Sequence, residues 1–357
     1  MLLSLARLSG IGPFDDLAIS FCDDDGAPRK LTVLFGGEGV GKTSILAALA
    51  STRPGHAVAQ MVNQRGSSSS GPQPYAVADW VLSDDDPARP HPLRVASPTA
   101  SLEEREDAAT LRRREQALFD RKATEGGYVL VTFSGARWFS RTPVLLTTPE
   151  RTILRYDVRA TASFEDATRA DLTRETKQVL SFIGVASALS RSAGGEATSG
   201  TAPRFAGLDH RLREVLDVLL PAAGCSYVGV DPVRLEPLFE TSEGRVVELD
   251  DLPKSARHLT AFGALTMRAL AAAYPGKDVR EAEGVVLIDD AEVHLELHLQ
   301  RALGALLRKA LPKVQWILTT SSPAVTLGCD TQEVLALRRA PASGRVELFE
   351  GPLAVVH

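Results

Sequence analysis

The sequence predicts an α/β protein in which a largely parallel sheet is flanked by helices. Continuous apolar runs, typical of strands buried on both faces, occur near both ends of the chain, and helical patterns follow them. A glycine-rich loop at residues 36–41 separates one such run from the next helix. The middle of the chain reads as an insertion of further strands and helices.

Composition and charge narrow the class of protein. With 357 residues, 44% hydrophobic and 24% charged, the chain can bury a core as a globular protein does. Its net charge of -5 argues against extensive coating by nucleic acid, although it leaves room for a local basic face. The three cysteines form no CxxC pair, which fits a reducing compartment. No run reaches ~18 apolar residues, so we expect a cytoplasmic protein without membrane spans.

The elements of the first half follow from periodicity and turn residues. The predicted strands are residues 2–8, 17–21, 30–35, 75–82, 91–97, 128–135 and 143–148, and the predicted helices are 43–50 and 101–122. Residues 83–90 form the acidic turn of a hairpin. We interpret the charged helix 101–122 as solvated rather than as a nucleic-acid contact. A Gly/Ser/Pro-rich stretch near 62–74 is a flexible linker.

The second half continues with a helical stretch at residues 164–190 and a low-complexity link at 190–203. Further helices are predicted at 210–221, 255–274 and 298–311, and strands at 225–231, 234–240, 245–251, 284–290 and 315–320. Residues 333–351 form a hairpin that turns at 341–344. Ser255 precedes a helical pattern and is a candidate N-cap.

The glycine-rich segment is a complete phosphate loop of the pattern G-x-x-x-x-G-K-T. It consists of Gly36, Gly37, Glu38, Gly39, Val40, Gly41, Lys42, Thr43 and Ser44. Glycines let backbone N–H groups surround phosphate oxygens, and the following helix directs its positive N-terminus at the same anion. Lys42 supplies a cation for the outer phosphates, and Thr43 supplies a hydroxyl for magnesium. This segment therefore predicts a site for ATP and Mg²⁺.

A second motif lies at residues 284–290, where the buried run GVVLI ends in Asp289 and Asp290. Ligands of doubly wound sheets bind at the carboxyl ends of strands, where a carboxylate can hold magnesium through water. Without the phosphate loop, we would interpret this motif as an acidic strand end with no ligand. Together with the phosphate loop it indicates a magnesium nucleotide.

Residues 285–323 resemble the C-terminal half of the ABC-type ATPases related to the OLD, RecF and SMC proteins. Those proteins have a strand ending in Asp-Glu, an acidic-x-His-Leu-His-Pro stretch, a helix, a strand and Thr-His-Ser-Pro. The N-terminal strands leading into the phosphate loop resemble the same family. The resemblance implies a P-loop ATPase head divided into an N-terminal half at 1–60, an insertion at 61–250 and a C-terminal half at 251–357.

The resemblance also implies roles for individual residues. Lys42 and Thr43 match the phosphate-loop pair, and Asp289 matches the magnesium carboxylate. Glu292 and His294 match the first residues of the acidic-His stretch. For the magnesium-contacting glutamine, Gln64 and Gln60 remain alternatives.

Three positions depart from the family pattern. Asp290 stands where the family has the Glu that orients the attacking water, and its reach is shorter by one methylene. Ser321 occupies the place of the switch histidine. The signature segment near Leu252 reads LPKSARHL and contains no glycine. Ser255 is the candidate there for facing a nucleotide across a dimer interface, with Lys254 and Arg257 adding charge.

Two polar features outside these motifs leave alternatives open. Arg137 follows a predicted strand and is either a phosphate contact or a surface arginine beside Trp138. His294 and His298 have the i, i+4 spacing of zinc ligands but lack a third ligand, so we interpret them as ordinary polar residues.

Two functions fit the sequence. The first is an ATPase that dimerises around ATP, with Lys42 and Asp290 as catalytic residues. The second is a nucleotide-gated module that binds ATP, hydrolyses little of it and regulates an effector protein. Fold-level analogy alone extends either one to DNA-linked work or phage defence.

Overall fold

The computed structural model describes residues 1–57, 73–82, 91–100, 102, 104–121, 127–146, 153–154, 156, 170–192 and 202–350. The strands in these ranges are β1 Leu2–Ile11, β2 Phe14–Ser20, β3 Leu31–Phe35, β4 Thr52–Arg53, β5 His56–Ala57, β6 Tyr75–Val81, β7 Leu93–Ala96, β8 Leu130–Phe133, β9 Cys225–Val230, β10 Pro237–Thr241, β11 Val246–Glu248, β12 Gly284–Ile288, β13 Val314–Thr320, β14 Val334–Arg339 and β15 Val346–Glu350. The helices are α1 Lys42–Ser51, α2 Glu106–Arg121, α3 Thr173–Ser192, α4 Ala202–Leu219, α5 Lys254–Ala273, α6 Leu297–Ala310 and α7 Pro323–Thr326.

A six-stranded sheet of order β15-β14-β3-β13-β12-β8 forms the centre of the protein. The five strands from β14 to β8 are parallel, and β15 pairs antiparallel with β14. All residues of β12 and β13 are buried, which explains their continuous apolar sequences. Because the five strands are parallel, their carboxyl ends lie along one edge of the sheet. The mixed α/β core predicted from the sequence is confirmed.

A second, antiparallel sheet has the order β2-β1-β6-β7. Its apolar face and one face of the central sheet enclose α1, so that Leu3, Ile45, Trp80 and Ile317 belong to one buried cluster. Nine of the ten residues of α1 are buried, and only Thr43 is exposed at the edge of the sheet. This arrangement holds the helix of the phosphate loop rigidly between two sheets.

The opposite face of the central sheet is covered by a helical layer. Helices α3, α4, α5 and α6 share a second buried cluster with it, which includes Leu216, Phe262 and Trp316. The rings of Phe133 on β8 and Phe262 on α5 meet edge to face with 4.8 Å between centroids. The sheet β11-β10-β9 lies against α3 and α4. None of the described helices is long and apolar enough to cross a membrane.

Residues from the middle of the chain enter both sheets. Strands β6 and β7 extend the antiparallel sheet through the pairing of β6 with β1, and they form the predicted hairpin. Strand β8 pairs in parallel with β12 and closes one side of the central sheet. Strands from the middle of the chain therefore belong to the same two sheets as strands from its two ends. Sequence periodicity does not predict these pairings.

Several local predictions require correction. Residues 143–146 of the expected strand 143–148 form no strand, because Val144 N–H donates to Glu236 and Leu145 C=O accepts from Gln178. The expected link 190–203 begins inside α3 and ends inside α4. The N-cap of α5 is Pro253, so the capping role expected of Ser255 is wrong. The acidic turn 83–90, and residues 62–72 of the predicted linker, lie outside the described residues.

Candidate functional site

The phosphate loop joins β3 to α1 at the carboxyl edge of the central sheet. Gly39 and Gly41 adopt φ values of 72° and 90°, in the left-handed region that glycine favours. A Cβ atom at Gly41 would lie 2.5 Å from Pro13 Cδ, so the loop also needs glycine there for space. Gly41 is the N-cap of α1 and contributes no side-chain hydrogen bond, so the N-terminus of the helix faces the loop without a side-chain cap.

Lys42 lies within this loop rather than in solvent. Its side chain is buried, and its Nζ donates to the carbonyl oxygens of Gly36 at 2.8 Å and Gly37 at 2.9 Å. A buried ammonium needs such acceptors. The oxygens of a bound phosphate can replace them, since they are also acceptors and carry charge.

Thr43 and Asp289 bring the two sequence motifs together. The Thr43 hydroxyl lies 2.9 Å from Asp289 Oδ2 and 3.1 Å from Oδ1. The Thr319 hydroxyl donates to Asp289 Oδ1 at 2.6 Å and fixes the carboxylate from the other side. Asp289 is only 4% exposed, so its position is set by these partners. The loop threonine and the strand-end carboxylate, each predicted to serve magnesium, therefore lie within hydrogen-bond distance of each other.

Asp290 is the second residue of a turn that we name the carboxylate turn, residues 289–293. Asp290 has φ 44°, an uncommon conformation for a non-glycine residue, and its N–H donates to the Thr319 hydroxyl at 2.8 Å. Burial, together with the charges of Asp289 and Glu292, raises the pKa of Asp290. A Cβ atom at Gly135 would lie 2.7 Å from Asp290 Oδ2, so the loop after β8 closes over this carboxylate.

Ser321, at the position where the resemblance places a switch histidine, is bound to the carboxylate turn. Its N–H and its hydroxyl donate to Glu292 Oε1 at 2.8 and 2.7 Å. Burial alone would raise the pKa of Glu292, but these hydrogen bonds and that of the Thr320 hydroxyl outweigh it and lower the pKa. Glu292 therefore stays ionised beside Asp290.

Arg137 is the site residue for which the sequence permits both a phosphate contact and a surface position. It is 2% exposed, so the alternative of a surface arginine is wrong. Its guanidinium donates to the backbone carbonyls of Asp289 at 2.6 Å, Asp290 at 2.9 Å and Val293 at 3.4 Å. The available signal was its place four residues after the end of β8 at Phe133, in a loop at the same edge of the sheet as Asp289.

Ser255 lies on the first turn of α5 but does not face solvent. It is 2% exposed, and its hydroxyl donates to Glu296 Oε1 at 3.3 Å. Lys254 is exposed and Arg257 is half-buried at the same helix end. The cationic side chains, rather than the serine, are accessible to a molecule outside this chain.

The two glutamine candidates for magnesium, Gln60 and Gln64, lie outside the described residues. On the β8 side of Asp289, the polar residue in register with it is Ser134. Phe133 of β8 pairs with Ile288 of β12, so Ser134 and Asp289 both follow directly after neighbouring strands.

The residues present fit a nucleotide with magnesium. The loop offers a helix N-terminus without a side-chain cap and a lysine, and Cβ atoms at Gly37 and Gly39 would meet no atom within 4 Å. The Thr43 hydroxyl and Asp289 carboxylate are hard oxygen ligands, which magnesium prefers. Among the described residues, no group of three or more His, Cys, Asp or Glu side chains could hold a metal ion. Magnesium bound with a nucleotide needs no such group, because phosphate and water complete its shell.

Comparison with solved structures supports this description at the level of the fold. The SMC head domain from Thermotoga maritima matches with a TM-score of 0.51 at 14% identity, over 98% of this chain and 99% of that one. An SMC head bound to the C-terminal winged-helix domain of ScpA matches with a TM-score of 0.55 at 13% identity, over 99% of both chains. An SMC head with an extended coiled coil, bound to the C-terminal domain of ScpA derived from Pyrococcus furiosus, gives 0.51 at 13% identity, over 99% of this chain and 96% of that one.

These similarities show that the chain has the fold of SMC head domains, a P-loop NTPase fold of the ABC type. The likeness shows the fold alone and does not single out the OLD or RecF branch of the expected resemblance. No protein family matches the chain by sequence, and no curated protein is significantly similar to it.

Gly36→Ala and Gly37→Ala form a matched pair that tests the packing of the loop. A Cβ atom at Gly36 would lie 2.5 Å from the Leu337 carbonyl oxygen on β14, whereas one at Gly37 would meet nothing within 4 Å. We expect Gly36→Ala to lower the free energy of unfolding by about 2 kcal/mol and Gly37→Ala by less than about 0.5 kcal/mol, measured by denaturant titration without nucleotide. Equal losses would contradict the close approach of β14 to the loop.

Proposed function

We propose that this chain is an ABC-type ATPase that binds ATP with magnesium and hydrolyses it slowly. The observation that carries the proposal is the contact of Thr43 with Asp289 across 246 positions of sequence, at the carboxyl ends of β3 and β12. A phosphate loop alone does not specify which activity a protein has. A magnesium carboxylate hydrogen-bonded to its threonine is the arrangement that holds a triphosphate and its metal together.

Each residue of the site has a distinct role in this function. The loop N–H groups and Lys42 bind the phosphates, and Thr43 with Asp289 would hold the magnesium ion, which supplies charge stabilisation to the outer phosphates. Asp290 is the base that orients water, and its raised pKa favours acceptance of a proton. Its short side chain and the serine at position 321 support slow rather than fast turnover.

Lys42→Ala should remove most of the affinity for ATP. The ammonium lies within the loop on the carbonyls of Gly36 and Gly37, and it would face several phosphate charges when ATP is bound. We expect the dissociation constant, measured by calorimetry with magnesium, to rise about 100-fold or more. Lys30→Ala, which removes a lysine at the opposite end of β3, is the control. Binding by Lys42→Ala within about twofold of the parent would exclude the loop as the site.

Asp290→Asn should abolish phosphate release while ATP remains bound. Asparagine keeps the size of the side chain but cannot take a proton from water. Asp290→Glu should raise turnover if the shorter reach of aspartate limits it. Steady-state phosphate release and calorimetry on the same preparations measure both effects. Undiminished turnover by the Asn variant would remove Asp290 from the mechanism.

We further propose that ATP promotes association of two copies of this chain. The phosphate loop covers one side of a nucleotide, so a second surface is needed to exclude water. The N-terminal end of α5, with exposed Lys254 and half-buried Arg257, is our candidate for that surface. It combines free helix N–H groups with positive charge.

Lys254→Glu should weaken association that depends on nucleotide, because the changed charge would face a phosphate. Lys277→Glu, at another exposed lysine beyond the other end of α5, is the matched control. Sedimentation velocity with a non-hydrolysable ATP analogue measures the fraction of dimer. We expect the control to dimerise as the parent does and Lys254→Glu to stay monomeric. A parent that remains monomeric with the analogue bound would contradict the homodimer.

The second candidate function is a nucleotide-gated module that regulates an effector protein. It is favoured by the departures at Asp290 and Ser321, which shorten the reach of the water-orienting carboxylate and replace the switch histidine but leave the binding loop complete. Two of the similar SMC heads are bound to domains of ScpA, so we propose engagement of a partner protein as the output of this module. ATP binding without measurable turnover would select it. A DNA-linked setting fits either function, whereas the fold and the site give no support to phage defence.

A further inference from the structure

We propose that Arg137 is a positioning residue that holds the carboxylate turn, and with it Asp290, in the geometry needed for hydrolysis. The inference rests on the proposed function and adds a residue that neither sequence motif contains. Arg137 donates to backbone carbonyls rather than to the side chains that would hold the nucleotide and its metal ion. It therefore acts on the site through the backbone of the residues that carry those side chains.

The contacts of Arg137 converge on a short piece of backbone. Nη1 donates to the carbonyl oxygen of Asp289, and Nη2 donates to those of Asp290 and Val293. Nη1 also donates to Ser134 C=O at 3.1 Å, which ties the turn to the end of β8. A guanidinium is planar and rigid, so four such bonds fix the orientation of the turn as a unit.

The turn needs such support because its backbone is uncommon. Asp290 has φ 44° and His294, one residue beyond the turn, has φ 66°, and both are non-glycine residues in the left-handed region. Strained residues of this kind persist only where their surroundings over-determine them. Arg137 donates to the carbonyl of Asp290, which is one of these two residues, and to that of Val293, which directly precedes the other.

Charge also favours a role at the site over a purely structural one. The Arg137 side chain is only 2% exposed, and the charges of Asp289, Asp290 and Glu292 act on its guanidinium. A buried guanidinium is unfavourable unless nearby charges and acceptors compensate for it. A neutral residue would fill the same space without that penalty. The cation beside three acidic residues is therefore best explained by the arrangement of the carboxylates.

Arg137 also contacts the helix proposed to meet a second molecule. Its guanidinium carbon lies 5.3 Å from the ring centroid of Phe262 on α5. Phe262 lies about two turns from the N-terminal end of that helix, where Lys254 is exposed. A displacement of α5 on association would therefore move the Phe262 ring and, through its contact with Arg137, the carboxylate turn.

Arg137→Lys is the decisive variant, because lysine keeps the charge but cannot reach the same set of carbonyls. Arg53→Lys is the matched control, since Arg53 is also buried and donates to a backbone carbonyl, that of Ala50, away from the carboxylates. Phe262→Leu is a second variant that keeps the arginine and removes the ring beneath it. Each variant is measured for ATP affinity, for steady-state turnover and for amide hydrogen exchange of residues 289–295.

We expect Arg137→Lys to lower kcat about tenfold or more while KM for ATP changes less than about threefold. Exchange in residues 289–295 should be about tenfold faster than in Arg53→Lys. Phe262→Leu should shift both quantities in the same direction by a smaller factor. Parent-like exchange in Arg137→Lys, or equal loss of kcat in the Arg53 control, would overturn the inference. A parent protein without turnover would instead refute the proposed hydrolysis, and the exchange measurement would still decide whether Arg137 holds the turn.

Discussion

A hydrogen bond between the Thr43 hydroxyl and the Asp289 carboxylate is the interaction on which the site depends. It forms because β3 and β12 lie one strand apart, separated by β13, and run in the same direction. Their carboxyl ends therefore reach the same edge of the sheet. Thr319, at the end of β13, fills the space between them and bonds to Asp289 as well. The site is thus a property of three adjacent parallel strands, and any change in strand order would take it apart.

The rigidity of this edge comes from packing on both faces of the sheet. On one face α1 is enclosed by a second sheet, so the phosphate loop has little freedom to move as a body. On the other face α5 packs against β8 through Phe262 and Phe133. Arg137 lies at the point where β8, the carboxylate turn and α5 meet. A change in any of the three can therefore reach Asp290 through this one side chain.

The local elements were largely predictable because they depend on short-range patterns. Runs such as GVVLI are buried on both faces and stay apolar throughout, and the phosphate loop needs its glycines whatever surrounds it. Lys42, Thr43 and Asp289 were identified from such patterns, and the structure places them together. The predicted elements were wrong where the backbone hydrogen-bonds to side chains instead of to a neighbouring strand. Residues 143–146 are an example, since Val144 bonds to Glu236, which is 92 positions away in the chain.

By itself, the sequence determined the α/β class, the phosphate loop and the strand-end carboxylates, because each follows from residues close together in the chain. Only the tertiary structure decided that β8 joins the central sheet, that Ser255 is buried and that Arg137 reaches the backbone of Asp289 and Asp290. Strand order and side-chain burial depend on contacts between distant residues, and a single sequence carries no local pattern for them. Arg137 and the carboxylate turn are 152 positions apart, and the fold alone brings them within 2.6 Å.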